Sequence, residues 1–229
     1  MRIDKFLSNL KYGSRSEIKD FLKNHEVVIN NIKILVPSFD VDPSIEDVYL
    51  DSKRVFYQYP IYLKMNKPIG YLSANFDKKY PCVTDLIKEP YNRFDYAIAG
   101  RLDLDAEGLM ILTTDGALAH QITMPKSHVP KTYEVLLDHP FDYHKELQNG
   151  VVIKDGKHQE YLAKALSIRS VDNQVWITID EGKFHQIKRM FESIGYLVVK
   201  LKRIQIGHLK LDDLASGTYE SFKKEELYD

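Results

Sequence analysis

The chain has 229 residues, 32 Lys and Arg against 33 Asp and Glu, a formal net charge of -1 and 44% hydrophobic residues. That is ordinary globular composition and excludes wholesale disorder. No apolar run nears the roughly 20 residues of a spanning helix, residues 1 to 10 carry charges, and the lone Cys82 excludes an internal disulfide or a cysteine-based zinc cluster, so a cytoplasmic protein off the membrane is expected.

At roughly 100–200 residues per domain the length fits two domains, read here as a small module over 1–58 and a larger domain over 61–229. Ile3, Phe6, Leu7 and Leu10 fall at helical spacing, and Gly13 can end that helix. Ser14 with Glu17 reads as a capping box before a second apolar stripe, Ile18, Phe21 and Leu22. Val27 to Ile29 predicts a strand, Asn30-Asn31 a turn and Ile32 to Val36 its hairpin partner, and the module closes near Tyr57 to Pro60. Residues 1 to 35 hold seven cations against four acids, a local excess of +3. Arg15, Lys19 and Lys23 share one helix face, where like charges repel by a few tenths of a kcal/mol per pair. A phosphate backbone would relieve that repulsion, and a solvated surface would tolerate it.

From Ile61 onward short β patterns dominate: Ile61 to Met65, Leu109 to Thr113, Thr132 to Leu137, Ala163 to Ile168, Gln174 to Ile179, Leu197 to Leu201 and Arg203 to Ile206. One helix interrupts them, with Ile187, Met190, Phe191 and Ile194 at helical spacing and Gly195 as its cap. The pattern predicts an α+β fold, a small helical module followed by a domain built on a mainly antiparallel, mixed sheet with few helices. Residues 183 to 210 hold seven cations against the single acid Glu192, a local excess of +6 that suits a polyanion. No glycine-rich nucleotide cradle appears.

The stretch from Gly100 to Gly116 crowds Asp103, Asp105 and Glu107 ahead of Gly108. It imitates the first half of a calcium loop, but the position for the closing bidentate acid is Thr114, so calcium is not expected. A magnesium nuclease would need further carboxylates arriving from elsewhere. His120, His128 and His185 lack metal-ligand spacing, and a polar contact is the reading for each. No metal is expected.

Residues 1 to 36, with Arg2-Ile-Asp-Lys5-Phe-Leu, Ser14-Arg15-Ser-Glu17 and Val27-Val-Ile-Asn30, resemble the S4 RNA-binding domain. Asn66-Lys-Pro-Ile-Gly70, Gly100-Arg-Leu-Asp103, Lys131-Thr-Tyr133, His185-Gln-Ile-Lys188 and Leu214-Ala-Ser-Gly-Thr-Tyr219 together resemble the RsuA-type pseudouridine synthases almost end to end. Ala106 departs from the threonine usual in that family, which bears on loop packing. The resemblance implies an isomerase that breaks the bond from ribose to uracil N1, turns the base and joins ribose to C5, with no cofactor. Its implied substrate is 16S ribosomal RNA within a partly assembled small subunit, and the enzyme is expected to act as a monomer. Large-subunit ribosomal RNA, or a non-catalytic S4-type factor for ribosome assembly, are the alternatives.

The resemblance makes Asp103 the catalytic carboxylate, as nucleophile or as base. Lys188 is the expected cationic neighbour, which at about 4 Å returns about 4 kcal/mol of attraction at an effective dielectric of 20 once water is excluded. Tyr133 is expected to stack on the target base and, through its hydroxyl, to receive the C5 proton. Arg101, Ile187 and Arg189 are expected around the base, with Arg101 bracing the gap left by the extruded nucleotide. Arg2, Lys5, Arg15, Lys19, Lys23 and Lys131 are expected to hold RNA.

Overall fold

The computed structural model describes residues 1–142 and 145–228. It separates into two compact units, Met1–Tyr59 with Lys88–Asp95, and Pro60–Ile87 with Tyr96–Asp229. The segment Lys88–Asp95, which the sequence places in the larger domain, groups with the first unit through aromatic contacts. Tyr91 meets Phe56 edge-on with ring centres 5.2 Å apart and donates its hydroxyl to Gln58 Oε1 at 3.0 Å, while the Arg93 guanidinium lies 4.7 Å over Tyr12.

In the first unit, helices α1 (Ile3–Asn9) and α2 (Ile18–Asn24) bury Ile3, Phe6, Leu7, Ile18 and Leu22, the stripes their spacing predicts. The Ser14 amide and hydroxyl both donate to Glu17 Oε2 at 2.7 Å, closing a turn ahead of α2 rather than capping its first residue. Strands β1 (Val27–Ile29), β2 (Ile32–Lys33), β3 (Val48–Leu50) and β4 (Lys53–Arg54) form an antiparallel sheet in the order β2-β1-β3-β4. Asn30 and Asn31 take the left-handed backbone of the predicted turn, with φ of 49° and 63°.

The second unit contains β5 (Tyr62–Lys67), β6 (Ala97–Ala99), β7 (Glu107–Thr113), α3 (Gly116–Thr123), β8 (Lys131–Leu137), α4 (Glu146–Asn149), β9 (Val151–Lys154), β10 (Glu160–Ala163), β11 (Ser167–Val171), β12 (Gln174–Ile179), α5 (Gln186–Glu192), β13 (Val198–Ile206), β14 (Leu209–Lys210) and β15 (Tyr219–Ser221). Its main sheet runs β11-β12-β8-β13-β7-β5-β15, with β14 against β13 and β6 against β7, and β9 pairs with β10 separately. Every pairing in that main sheet is antiparallel except β13 with β7.

The predicted strand Ala163 to Ile168 is interrupted, with β10 ending at Ala163 and β11 beginning at Ser167. The two predicted strands from Leu197 and Arg203 are one strand, β13, with register shifts at Val198/Lys200 and Arg203/Gln205. Helices α3 and α4 were not predicted; α3 starts with glycine, and its stabilising signal is Asp115, which accepts from the Leu118 amide at 3.0 Å. Leu118, Ala119 and Ile122 of α3 pack on Ala99, Leu109, Ile111 and Ile206 of the sheet. No helix among the described residues is long and apolar enough to cross a membrane.

Candidate active site

Strands β12, β8 and β13 place their inward side chains side by side. Tyr133 on β8 pairs in register with Ile177 on β12 and with Arg203 on β13, and Lys131 pairs with Ile179 and Ile206. The alternation that buries Lys131, Tyr133, Val135 and Leu137 sets Tyr133 on the inward face, where the Arg203 guanidinium stands 6.0 Å from its ring centre. At the one parallel junction Arg203 faces Gly108, and a Cβ there would stand 2.2 Å from the Arg203 carbonyl oxygen, so only glycine fits.

Between β6 and β7 runs the acidic loop, held largely through its main chain. Lys67, fully buried, donates to the carbonyls of Pro68, Asp103 and Ala106 at 3.1, 3.0 and 2.7 Å. Arg203, 1% exposed, donates to Gly100 O at 2.6 Å and Leu109 O at 2.7 Å, gripping the loop at both ends. Ser73 Oγ donates to Leu102 O at 2.6 Å and accepts the Leu102 amide at 3.0 Å, and Gly70 N–H donates to Leu104 O at 2.8 Å. Burial pushes both Lys67 and Lys131 down to about 8, with Arg203 adding to the effect on Lys131.

The other wall is the start of α5. Gln186, buried, accepts the amides of Gly182 and Lys183 at 3.0 and 2.9 Å and donates to Glu181 at 2.8 Å, which fixes the turn into the helix. His185 has left-handed backbone geometry, φ 50°, unusual for a residue with a Cβ. Its Nε2 lies 3.3 Å from Asp103 Oδ1, and its ring stacks on Phe184 with centres 3.8 Å apart. One turn on, Lys188 places Nζ 2.7 Å from both oxygens of Asp105 and 3.8 Å from Asp103 Oδ2. That pair holds the Asp105 carboxyl below its usual range.

These walls enclose a cavity of about 640 Å³ lined by Arg101, Asp103, Lys131, Tyr133, Ile187 and Arg203, among others. The structure therefore brings Asp103, Tyr133, Arg101 and Ile187 together, with Lys188 beside Asp103. Ile187, 3% exposed, belongs at once to the helix core and to the cavity wall. Two expected placements differ. Arg189 donates to Lys154 O, lies 5.0 Å over Phe184 and lines a second cavity of about 370 Å³ rather than the base pocket itself. Lys131, 3% exposed and donating to Val129 O at 2.8 Å, is part of the cavity floor rather than an open phosphate contact. Sequence reasoning missed Lys67 and Arg203 and gave His185 no part in the site. The available signals were the lysine inside Asn66-Lys-Pro and an arginine at inward parity two residues after Leu201.

In the first unit, Arg2 and Arg15 converge on the buried carboxylate of Asp4 at 2.8 and 3.2 Å, Lys23 pairs with Asp20 at 2.7 Å, and Lys5 and Lys19 are exposed.

Residues 61–193 match the RNA pseudouridylate synthase family, and residues 1–46 match the S4 domain. The chain belongs to the RNA pseudouridylate synthase family. It is 42% identical to an uncharacterized RNA pseudouridine synthase, YtzG, of Bacillus subtilis, the alignment covering 100% of this chain and 97% of that one. It is 35% identical to ribosomal small subunit pseudouridine synthase A of Escherichia coli, over 99% of this chain and 98% of the relative. A crystal structure of a pseudouridylate synthase superposes with a TM-score of 0.66 at 32% identity, covering 99% and 98% of the two chains. This synthase is thus an α+β enzyme acting on RNA, with an S4 domain preceding its catalytic fold.

Proposed function

We propose that this synthase isomerises one uridine of small-subunit 16S ribosomal RNA, presented in a partly assembled subunit, with Asp103 as the catalytic carboxylate. The observation that carries the chemistry is the placement of the Asp103 carboxylate on the cavity, 3.3 Å from His185 and 3.8 Å from Lys188. The 35% identity to a small-subunit synthase over nearly the whole chain supports the choice of RNA.

The reaction breaks the C1′–N1 bond, rotates the freed uracil and forms C1′–C5, after which C5 loses its proton and N1 gains one, so atoms and electrons balance without an external group. Asp103 starts it as nucleophile at C1′ or as base at C2′. The extruded uracil lies against the Tyr133 ring, with Ile187 closing the wall and Arg101 at the mouth in the space the nucleotide vacated. Tyr133, which lines the cavity, is assigned to take the C5 proton through its hydroxyl.

Lys188 sits at a useful distance. Bound by both oxygens of Asp105, it is near enough to Asp103 to offset the lost hydration when RNA seals the cavity. It is too far for a short hydrogen bond that would tie up the attacking lone pair. Asp105 is thereby assigned as a positioning residue for Lys188.

Arg2, Lys5, Arg15, Lys19 and Lys23 of the 1–58 module are proposed to hold RNA phosphates, with the catalytic chemistry confined to 61–229. The test incubates the purified chain with unmodified 16S RNA, partly assembled small subunits and 23S RNA, then maps pseudouridine at single-nucleotide resolution. One product site in the small-subunit samples is expected, lost in Asp103→Asn with RNA affinity retained. Product only in 23S RNA would overturn the substrate assignment, and full activity of Asp103→Asn the catalytic one.

A further inference from the structure

Seven consecutive residues, Asn75-Phe-Asp-Lys-Lys-Tyr-Pro81, are exposed, and they interleave two aromatic rings with two lysines. Phe76 is 78% exposed and Tyr80 39%. One apolar side chain on a surface needs no explanation. Here three observations converge on one.

The loop is built to hold its shape. Asp77 Oδ1 accepts the amides of Lys79 and Tyr80 at 2.8 and 3.1 Å. Asn75 donates its side chain to Tyr96 O at 2.8 Å and accepts the Tyr96 amide at 3.3 Å, and the Thr84 hydroxyl donates to Asn75 O at 2.9 Å. Leu72 N–H to Pro81 O at 2.8 Å and Val83 N–H to Leu72 O at 3.0 Å close its base. With both ends fixed, the Phe76 ring is presented to solvent by a braced backbone.

The root of the loop is the wall of the catalytic cavity. Leu72 and Ser73 line it, and Ser73 is bonded in both directions to Leu102, the neighbour of Asp103. The charge also fits RNA, because Lys78 and Lys79 outnumber Asp77, and Lys79 lies 5.0 Å over Tyr80.

We propose that the 75–81 loop is a binding site for unpaired nucleotides flanking the target uridine, with Phe76 stacking on a base and Lys78 and Lys79 meeting phosphates. Pulling one nucleotide out of its stack leaves its neighbours with free faces, and an exposed ring on a braced loop rooted in the cavity wall restores stacking to one of them. The proposal rests on the RNA substrate of the family and is independent of the 16S assignment.

The test titrates the full chain into fluorescein-labelled dodecauridine, read by anisotropy. Phe76→Ala is expected to weaken binding about tenfold and Phe76→Tyr to stay within about twofold of the parent. An RNA duplex of equal length, which offers phosphates but no open base faces, should lose less than about twofold with Phe76→Ala. Lys78→Gln with Lys79→Gln should lower the slope of log affinity against log salt by about 1.4, at ~0.7 per phosphate contact. Parental affinity of Phe76→Ala for dodecauridine, an equal loss on the duplex, or no binding of dodecauridine by the parent chain would each overturn the proposal. A wrong 16S assignment would leave these affinities where they are.

Discussion

At Asp103 the neighbouring charges are arranged by distance. Lys188 spends its closest contacts, 2.7 Å to each oxygen, on Asp105 and stands 3.8 Å from Asp103. Removing the Asp105 charge frees the ammonium to close on Asp103. Asp105→Asn is therefore expected to lower the single-turnover rate about tenfold while leaving RNA affinity unchanged or slightly improved, because one negative charge leaves the surface that meets phosphates. Stopped single-turnover assays with separate binding titrations check this; an equal fall in rate and affinity would instead mean that the loop had lost its shape. Asp103, Tyr133, Arg101 and Ile187 were legible because the motif blocks carry them, and the strand, loop and helix that bear them line one cavity. Lys67 and Arg203 were not, since a cation in a sequence reads as surface until its carbonyl partners are known. Lys131 shows the same confusion, a charge expected on phosphate that the strand alternation turns inward.

At the scale of elements, the site depends on the parallel junction of β7 and β13. Gly108→Ala would drive a methyl group into the Arg203 backbone, separating the strands and releasing the two carbonyls that Arg203 holds. A loss of more than about 3 kcal/mol of stability is expected in urea unfolding, against under about 1 kcal/mol for a change at an open surface glycine. The buried lysines give this unit a pH signature. Lys67 and Lys131 titrate near 8 in the folded chain, and an unfolded lysine near 10.4. Between those values the unfolded chain binds more protons, so their contribution to stability rises from pH 8 to about 10 and is flat below 8. Urea midpoints measured across that window should climb in the parent chain and climb less in Lys67→Met. The strands themselves were readable from alternation, whereas the break between β10 and β11 and the fusion within β13 were not, because β-bulges and register shifts depend on partners distant in sequence. Helix α3 escaped for a simpler reason, its short apolar stripe of Leu118, Ala119 and Ile122 being covered by a sheet face that no local pattern announces.

Across the whole molecule, the near-zero net charge hides a basic α2 face and a basic α5–β13 stretch. Replacing Arg15, Lys19 and Lys23 with Gln is expected to weaken RNA binding and flatten its salt dependence by roughly 0.7 for each cation that meets a phosphate, with the single-turnover rate at saturating RNA preserved. An unchanged slope in salt titrations would return this stripe to solvent. Arg15 begins from a pair with Asp4 and Lys23 from one with Asp20, so each must exchange a carboxylate for a phosphate, while Lys19 is exposed at the outset. The two-part organisation was visible in the change from helical to alternating periodicity near Pro60; the membership of Lys88–Asp95 was not, because it rests on Tyr91 and Arg93 finding aromatic partners over thirty positions earlier in the chain. The grip of Lys67 and Arg203 on peptide oxygens has an evolutionary corollary. Because every residue owns a carbonyl, the tether tolerates drift in side-chain identity, as Ala106 in place of threonine already illustrates with its oxygen 2.7 Å from Lys67. Outward-facing side chains of this loop can thus change while the tether, and with it the placement of the Asp103 main chain, is kept.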